Sequence, residues 1–343
     1  MTGTASPLRP PRPLDPFSPG RCGRYEDDVV VVVRADRLPS PAARFTTVTS
    51  SFAVGRDVGR LLVVHTMSLG EVDDDVSWRL DAELFSPGWV VGEDIFQRLL
   101  TGIVLSGDDD PLACWEGFYR ASLDRLASLI GSTAEADATG AAGRTRPASD
   151  PEPRTLADYA PVYQHAERLV GAAGTQSLLD LGSCFGFFPL RLAGGDETRR
   201  VGAVDIARGT CDLLARMSLR LARPLSVISC DAAGVPLPSG AVDTVTLLHL
   251  LEHVDAGHGE RILAEAMRLA RRRVVVAVPL EQEPCATFGH VRVVSLRDLA
   301  GWAADVSNSG RWHAQVDEHH GGWLVVDRVS PRPDPEWAPS AGC

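Results

Sequence analysis

Residues 177–190 read Ser-Leu-Leu-Asp-Leu-Gly-Ser-Cys-Phe-Gly-Phe-Phe-Pro-Leu. A short apolar run carries Asp180 near its end, a turn with Gly182 and Gly186 follows, and a second apolar segment then begins. This is the order strand, tight loop, helix start, the layout that holds the polar end of a nucleoside-type ligand. Further on, Val201-Gly202-Ala203-Val204 forms a second strand that ends in another acid, Asp205. A carboxylate at that point is placed to accept hydrogen bonds from a ribose diol.

The rest of the chain sets bounds on that reading. Its 343 residues suffice for two domains, and 44% hydrophobic with 23% charged residues can bury a sizeable core. A net charge of −11 argues against a nucleic-acid partner, because neutralising phosphates needs a basic face. All 34 basic residues are Arg. The seven Cys form no C-x-x-C pair, so reduced cytosolic thiols are expected rather than a disulfide framework, and the location is read as cytoplasmic. The Pro-Leu-Arg-Pro-Pro-Arg-Pro-Leu start lacks the apolar core of a signal peptide, and no apolar run is long enough to span a membrane.

Composition divides the chain into an arm (1–24), a small α+β domain (25–130), a linker rich in Ala, Gly, Ser, Thr and Pro (131–154), an α/β domain (155–330) and a tail (331–343). In the small domain, 29–34, 44–52 and 61–67 read as strands, and 93–105 and 111–130 as helices, the second ending at Gly131. From 155 onward strands and helices alternate, which predicts a parallel sheet. Strands are expected at 177–181, 201–205, 225–229, 242–248, 273–278, 312–318 and 322–328. Helices are expected at 155–172, 186–194, 208–222, 258–271 and 295–305. His320-Gly321-Gly322 joins the last two strands as a hairpin, so the final strand should run antiparallel to the others.

Two further segments complete the pattern. Ser229-Cys230-Asp231-Ala232 follows the third strand, and Leu251-Glu252-His253-Val254 follows the fourth. With these in place, residues 155–330 resemble a class I S-adenosylmethionine-dependent methyltransferase. The expected fold is a Rossmann-like seven-stranded sheet with its last strand antiparallel, beside the smaller N-terminal α+β domain. The family's first motif is D-x-G-x-G-x-G; here it is Asp180-Leu-Gly182-Ser-Cys184-Phe-Gly186, with Cys184 in place of the middle glycine. The Cys184 side chain must therefore point away from the ligand or narrow the pocket. The resemblance implies S-adenosyl-L-methionine as cofactor, with the Gly182 loop at its methionine end, Asp205 on the ribose, and Asp231 and Ala232 at the adenine. The full cofactor set implied is Asp180, Gly182, Ser183, Cys184, Gly186, Asp205, Ile206, Asp231, Ala232 and His249. A dinucleotide oxidoreductase would want G-x-G-x-x-G, a spacing that Gly182-x-Cys184-x-Gly186 does not match.

His249-Leu-Leu-Glu252-His253 matches H-x-x-E-H, the inverted zinc-protease signature. Its place directly after an apolar strand fits the methyltransferase turn better, so the sequence assigns no metal. A sugar or alkyl hydroxyl stays protonated at neutral pH, and a nearby base would help its methylation. His249, His253, His290, His319 and His320 all fall after strand ends, on the edge where doubly wound sheets bind ligands. His253 and His290 rank first as candidate bases; Cys184 and Glu252 are pocket-edge residues without an assigned role.

The acceptor is not spelled out by these motifs. Trp78, Trp89 and Trp115 of the N-terminal domain are read chiefly as core, with stacking on sugar faces as the other use. Asp73–Asp75 and Asp108–Asp110 are read as solvated loops. That domain would recognise substrate or mediate homodimer formation. The Pro-rich start, the Val-rich strand leading into Arg34-Ala-Asp-Arg-Leu-Pro39, and Leu-Gly-Ser-Cys-Phe-Gly-Phe-Phe-Pro-Leu-Arg-Leu-Ala resemble the actinobacterial methyltransferases that modify the oligosaccharide of the redox cofactor mycofactocin. That resemblance implies a glucose hydroxyl of a short β-glucan as acceptor. Another hydroxylated metabolite, a lipid head group, or binding of S-adenosylmethionine without catalysis are the other readings.

Overall fold

A computed structural model describes residues 12–21, 23–37, 45–138, 155–195 and 199–329. The tail, most of the linker and the first part of the arm lie outside the described residues. The chain forms two compact units, 1–121 and 122–343.

The first unit holds a five-stranded sheet of β1 (Arg24–Glu26), β2 (Val30–Arg34), β3 (Phe45–Val48), β4 (Phe52–Asp57) and β5 (Arg60–His65), in the order β1-β2-β5-β4-β3. Only β2 and β5 pair in parallel. The expected strand 44–52 is instead a hairpin. The chain turns between Thr49 and Phe52, where the Ser51 N–H and hydroxyl both donate to Glu83 (2.9 and 2.7 Å). Three helices accompany this sheet in the sequence: α1 (Asp75–Leu80), extended by a wider turn to Phe85; α2 (Glu93–Leu105); and α3 (Pro111–Ala138). α2 packs on β1 and β2 so closely that a Cβ at Gly102 would lie 2.6 Å from Val32 Cγ2 and 2.8 Å from Tyr25 Cδ1, which explains a glycine inside a buried helix. α3 runs past Gly131, where the sequence predicts its end.

Trp115 is buried, donating its indole N–H to Pro16 O at 2.7 Å, as a core residue should. Trp78 and Trp89 are exposed, contrary to the core reading. Asp73 and Asp75 are buried, not solvated: Asp73 Oδ1 accepts from the Asp75 N–H at the start of α1. Asp108–Asp110 are exposed as expected.

The second unit is the doubly wound sheet. Its strands are β6 (Ser177–Leu181), β7 (Arg200–Asp205), β8 (Ser226–Ser229), β9 (Val242–Leu248), β10 (Ala270–Val278), β11 (Trp312–Glu318) and β12 (Gly322–Arg328). The order is β11-β12-β10-β9-β6-β7-β8, and β12 alone runs opposite to the other six strands. The helices are α4 (Leu156–Ala172), α5 (Phe187–Gly195), α6 (Arg208–Arg220), α7 (Ala256–Leu269) and α8 (Leu296–Asn308). β10 starts three residues before its predicted start, in an irregularity between Ala270 and Arg273.

Both faces of the sheet are covered, so its strands are continuous apolar runs. Val245, Leu247, Val274, Val276 and Leu324 join one core; Leu178, Val201, Val275, Ala277 and Trp323 join the other. At the amino edge, Asp243 takes N–H donors from Gln176 and Ser177 (both 3.0 Å) and a guanidinium N–H from Arg271 (2.8 Å), tying β6, β9 and β10 together. The opposite, carboxyl edge collects the loops that carry the candidate site.

Candidate functional site

The loop after β6 is pinned to the end of β7. The N–H groups of Gly182 and Ser183 both donate to Val204 O (2.8 and 3.0 Å), and the Cys184 N–H donates to Asp205 Oδ2 (2.9 Å). Gly182 (φ +73°), Cys184 (φ +47°) and Gly186 (φ +73°) all lie in the left-handed region. That conformation favours glycine, so Cys184 carries backbone strain with its side chain exposed. The two glycines also serve packing. A Cβ at Gly182 would lie 2.6 Å from Leu250 Cδ1, and one at Gly186 2.5 Å from Leu214 Cδ1.

Asp205 anchors this corner with both oxygens. Oδ2 takes Cys184, and Oδ1 takes the Ala207 N–H at 2.9 Å. A carboxylate offers about four lone-pair sites, so two remain for a diol. Beside it, Ile206 is 75% exposed, an apolar side chain of the kind that flanks a flat base. Asp231 accepts from the Ala233 N–H and from His258 Nε2, both at 2.8 Å, and these bonds hold its carboxyl below the usual range. His258, from α7, was not anticipated from the sequence.

Other members of the expected set support the loop from below. Asp180 is buried, accepts the Thr246 hydroxyl at 2.5 Å, and is pushed up to about 7 by burial. Ala232 packs in the core with Leu247 and Ile262. Ser183 is buried, its hydroxyl 3.4 Å from Val204 O.

The turn after β9 is the second part of the site. His249 has φ +55°, donates its N–H to Ala277 O (2.9 Å), and stacks near Tyr159 of α4 (5.5 Å between ring centroids). Tyr159 and Tyr163, one helical turn apart, are further aromatics that motif reading did not reach. Residues 251–253 form a single tight turn, not the helix that an inverted zinc-protease motif needs. His249 Nδ1 lies 3.7 Å from Glu252 Oε1, beyond hydrogen-bond distance. Burial pushes Glu252 up to about 8 and His249 down to about 3.

His290 arrives from the loop after β10. Its Nδ1 meets Glu281 at 2.9–3.0 Å, both side chains being buried. The loop is fastened to the β9 turn by Val291 N–H to Glu252 O (2.9 Å) and Arg292 Nε to Leu251 O (3.0 Å). The His253 and His290 rings meet edge to face at 4.6 Å, so the two ranked bases share one place. His319 and His320 form a different group, with His165 stacked on His319 (4.6 Å) and against Trp323 (4.5 Å).

Residues 179–278 match the family model described as a methyltransferase domain. No curated protein matches the chain. Similar solved structures include a SAM-dependent methyltransferase from Aquifex aeolicus (16% identity, TM-score 0.38, covering 48% of this chain and 89% of that one). Another is magnesium protoporphyrin IX methyltransferase from Synechocystis PCC 6803 with bound SAH (16% identity, TM-score 0.39, covering 53% and 90%). Among the described residues, no helix is long and apolar enough to cross a membrane.

Proposed function

We propose, starting from the class I S-adenosylmethionine-dependent methyltransferase domain within residues 155–329, that this chain O-methylates a hydroxyl of a small glycan. Its cofactor is S-adenosyl-L-methionine. The residues present suit that ligand: a strained loop at 182–186, a carboxylate at Asp205 with lone pairs to spare, and the exposed Ile206 beside it.

When bound, the cofactor supplies a methyl group on a sulfonium; the acceptor oxygen forms the C–O bond as the S–CH₃ bond breaks, the electron pair leaving with sulfur. The chain's own task is to align the acceptor and accept its proton. The observation that carries the O-methyl reading is the group of Glu252, His253, His290 and Glu281 at the strand edge. His290 is held by a carboxylate, which fixes the orientation of its imidazole for work on the acceptor hydroxyl. A thiol acceptor, being more acidic, has less need of such a group.

The sugar acceptor rests on the whole-chain resemblance to methyltransferases of the mycofactocin oligosaccharide. The exposed Trp78 and Trp89 of the first unit suit stacking on sugar faces. None of the five described cysteines is in a disulfide, which suits a reducing cytoplasm. The test compares small glycosylated metabolites by mass in cells with and without the gene. Loss of one CH₂ increment from a glucose-bearing species is expected; an unchanged glycan profile would overturn the reading.

A further inference from the structure

We infer that Glu252, His253 and His290 form a binding site for a first-row divalent cation. This deepens the reading above by naming what activates the acceptor hydroxyl. The sequence assigns no metal, because H-x-x-E-H sits directly after an apolar strand, where the methyltransferase turn belongs. The fold forms a tight turn there in place of a helix and brings in His290 from the loop after β10.

One ligand atom from each of the three residues lies within 4.8 Å of the others. Ligands around a tetrahedral cation, at bonds of about 2.1 Å, stand about 3.4 Å apart. Side-chain rotations that draw the donors together by up to about 1.4 Å therefore close the three around one ion. The second observation is independent of spacing. The Glu252 carboxylate is fully buried, and neither oxygen has a hydrogen-bond partner among the described residues. Arg292 faces it electrostatically, but its Nε is committed to Leu251 O and no hydrogen bond joins the two side chains. A buried carboxyl without a hydrogen bond is costly, and with His249 Nδ1 no closer than 3.7 Å a bound cation would supply the direct contact that it lacks.

The surroundings also resemble a built metal shell. Glu281 holds His290 through Nδ1, the carboxylate–histidine arrangement that orients a metal-ligating imidazole through its other nitrogen. His253 is exposed, so the cation has an entry path. Two imidazoles and one carboxylate suit zinc, manganese, iron or cobalt better than magnesium. Three protein ligands leave positions open, as in a catalytic site. A hydroxyl bound there would have its pKa lowered and would release its proton to solvent on the exposed His253 side. His253 and His290 then act as ligands rather than as bases.

The experiment uses the full chain, stripped of metal by a chelator, without cofactor or acceptor. Zn²⁺ alone is titrated by calorimetry, and Co²⁺ alone is followed by visible absorption. One equivalent per chain is expected, with Co²⁺ bands of nitrogen and oxygen ligation. Glu252→Gln and His290→Gln should weaken Zn²⁺ binding by more than about 100-fold, and Glu281→Gln by about 10–100-fold, with unchanged circular dichroism. Absence of a stoichiometric equivalent in the unaltered chain overturns the site, as does equal affinity in folded Glu252→Gln. Metal binding and methyl transfer are read separately, so either can fail while the other stands. Full turnover in metal-free enzyme would overturn the activating role.

Discussion

The backbone N–H of Cys184 donates to Asp205 Oδ2 at 2.9 Å, fastening the loop after β6 to the end of β7. Because the donor is backbone, the bond does not depend on the Cys184 side chain. That side chain sits at φ +47°, where a non-glycine residue costs about 1–2 kcal/mol and a glycine costs about 0.5–1 kcal/mol in unfolded-state entropy. Cys184→Gly should therefore raise stability by up to about 1 kcal/mol in urea unfolding. S-adenosylmethionine affinity by calorimetry should stay unchanged; a large gain would mean that the side chain narrows the site.

Asp205 serves two backbone donors, Cys184 through Oδ2 and Ala207 through Oδ1. An amide can accept on one side only. Asp205→Asn should therefore loosen the loop as well as remove charge, and S-adenosylmethionine affinity should fall by about 10–100-fold, the loss expected for one charged hydrogen bond. Calorimetric titration measures it. An affinity within error of the unaltered chain would remove Asp205 from the cofactor site.

Asp180 is buried beside Thr246 and titrates near 7, mainly because burial disfavours its charge. In the unfolded chain it titrates near 3.9, so between these values the folded state holds a proton that the unfolded state has lost. Stability from this group is therefore present at low pH and falls as the pH rises toward 7, by at most about 1.4 kcal/mol per unit. Asp180→Asn keeps an acceptor for Thr246 and removes the titration. The difference in melting temperature between variant and parent should grow from pH 5 to pH 7 in the variant's favour.

Asp243 behaves in the opposite sense. Burial alone would raise its pKa, but the N–H donors of Gln176 and Ser177 and the Arg271 guanidinium outweigh it and hold the carboxyl below its usual range. Its contribution is present above the ordinary carboxylate pKa and is lost as the pH falls through the lowered folded value. Asp243→Ala removes the carboxylate that faces the buried Arg271 guanidinium and should cost about 3–5 kcal/mol in denaturant unfolding. A loss below about 1 kcal/mol would mean that water replaces the carboxylate at this edge.

The sheet of the second unit was legible because its strands are apolar on both faces and bounded by polar turns. β6, β9, β11 and β12 fall on the predicted residues, and the antiparallel β12 follows from the hairpin at Gly321. The first unit was less legible where the run from Arg44 to Phe52 hides a reversal. Only Thr49, Ser50 and Ser51 mark it, with no Gly, Pro, Asn or Asp; Glu83, far along the chain, supplies the acceptor that holds Ser51 in the turn. A contact over that separation leaves no mark on local pattern.

The candidate site divides in the same way. Asp205 and Asp231 could be found from position after a strand, and the exposed loop around Cys184 from its glycine neighbours. What each does was not local. Asp180 and Ala232 look like members of the binding motif, yet the fold turns them to Thr246 and the core. Gly182 and Gly186 leave room for Leu250 and Leu214 as much as for any ligand.

Strand period, turn chemistry and chain order are local properties, so the doubly wound fold and the sheet edge that carries the loops can be read from the chain alone. Which histidines lie together cannot, because it depends on distant loops meeting in space. H-x-x-E-H suggests a helical pairing of His249 with His253, but His249 has a positive φ and residues 251–253 form a tight turn in place of a helix. His290, held by Glu281, takes the place beside His253 and near Glu252, whose carboxyl makes no hydrogen bond among the described residues. That grouping depends on parallel strands delivering distant loops to one edge, which no spacing within a single motif encodes.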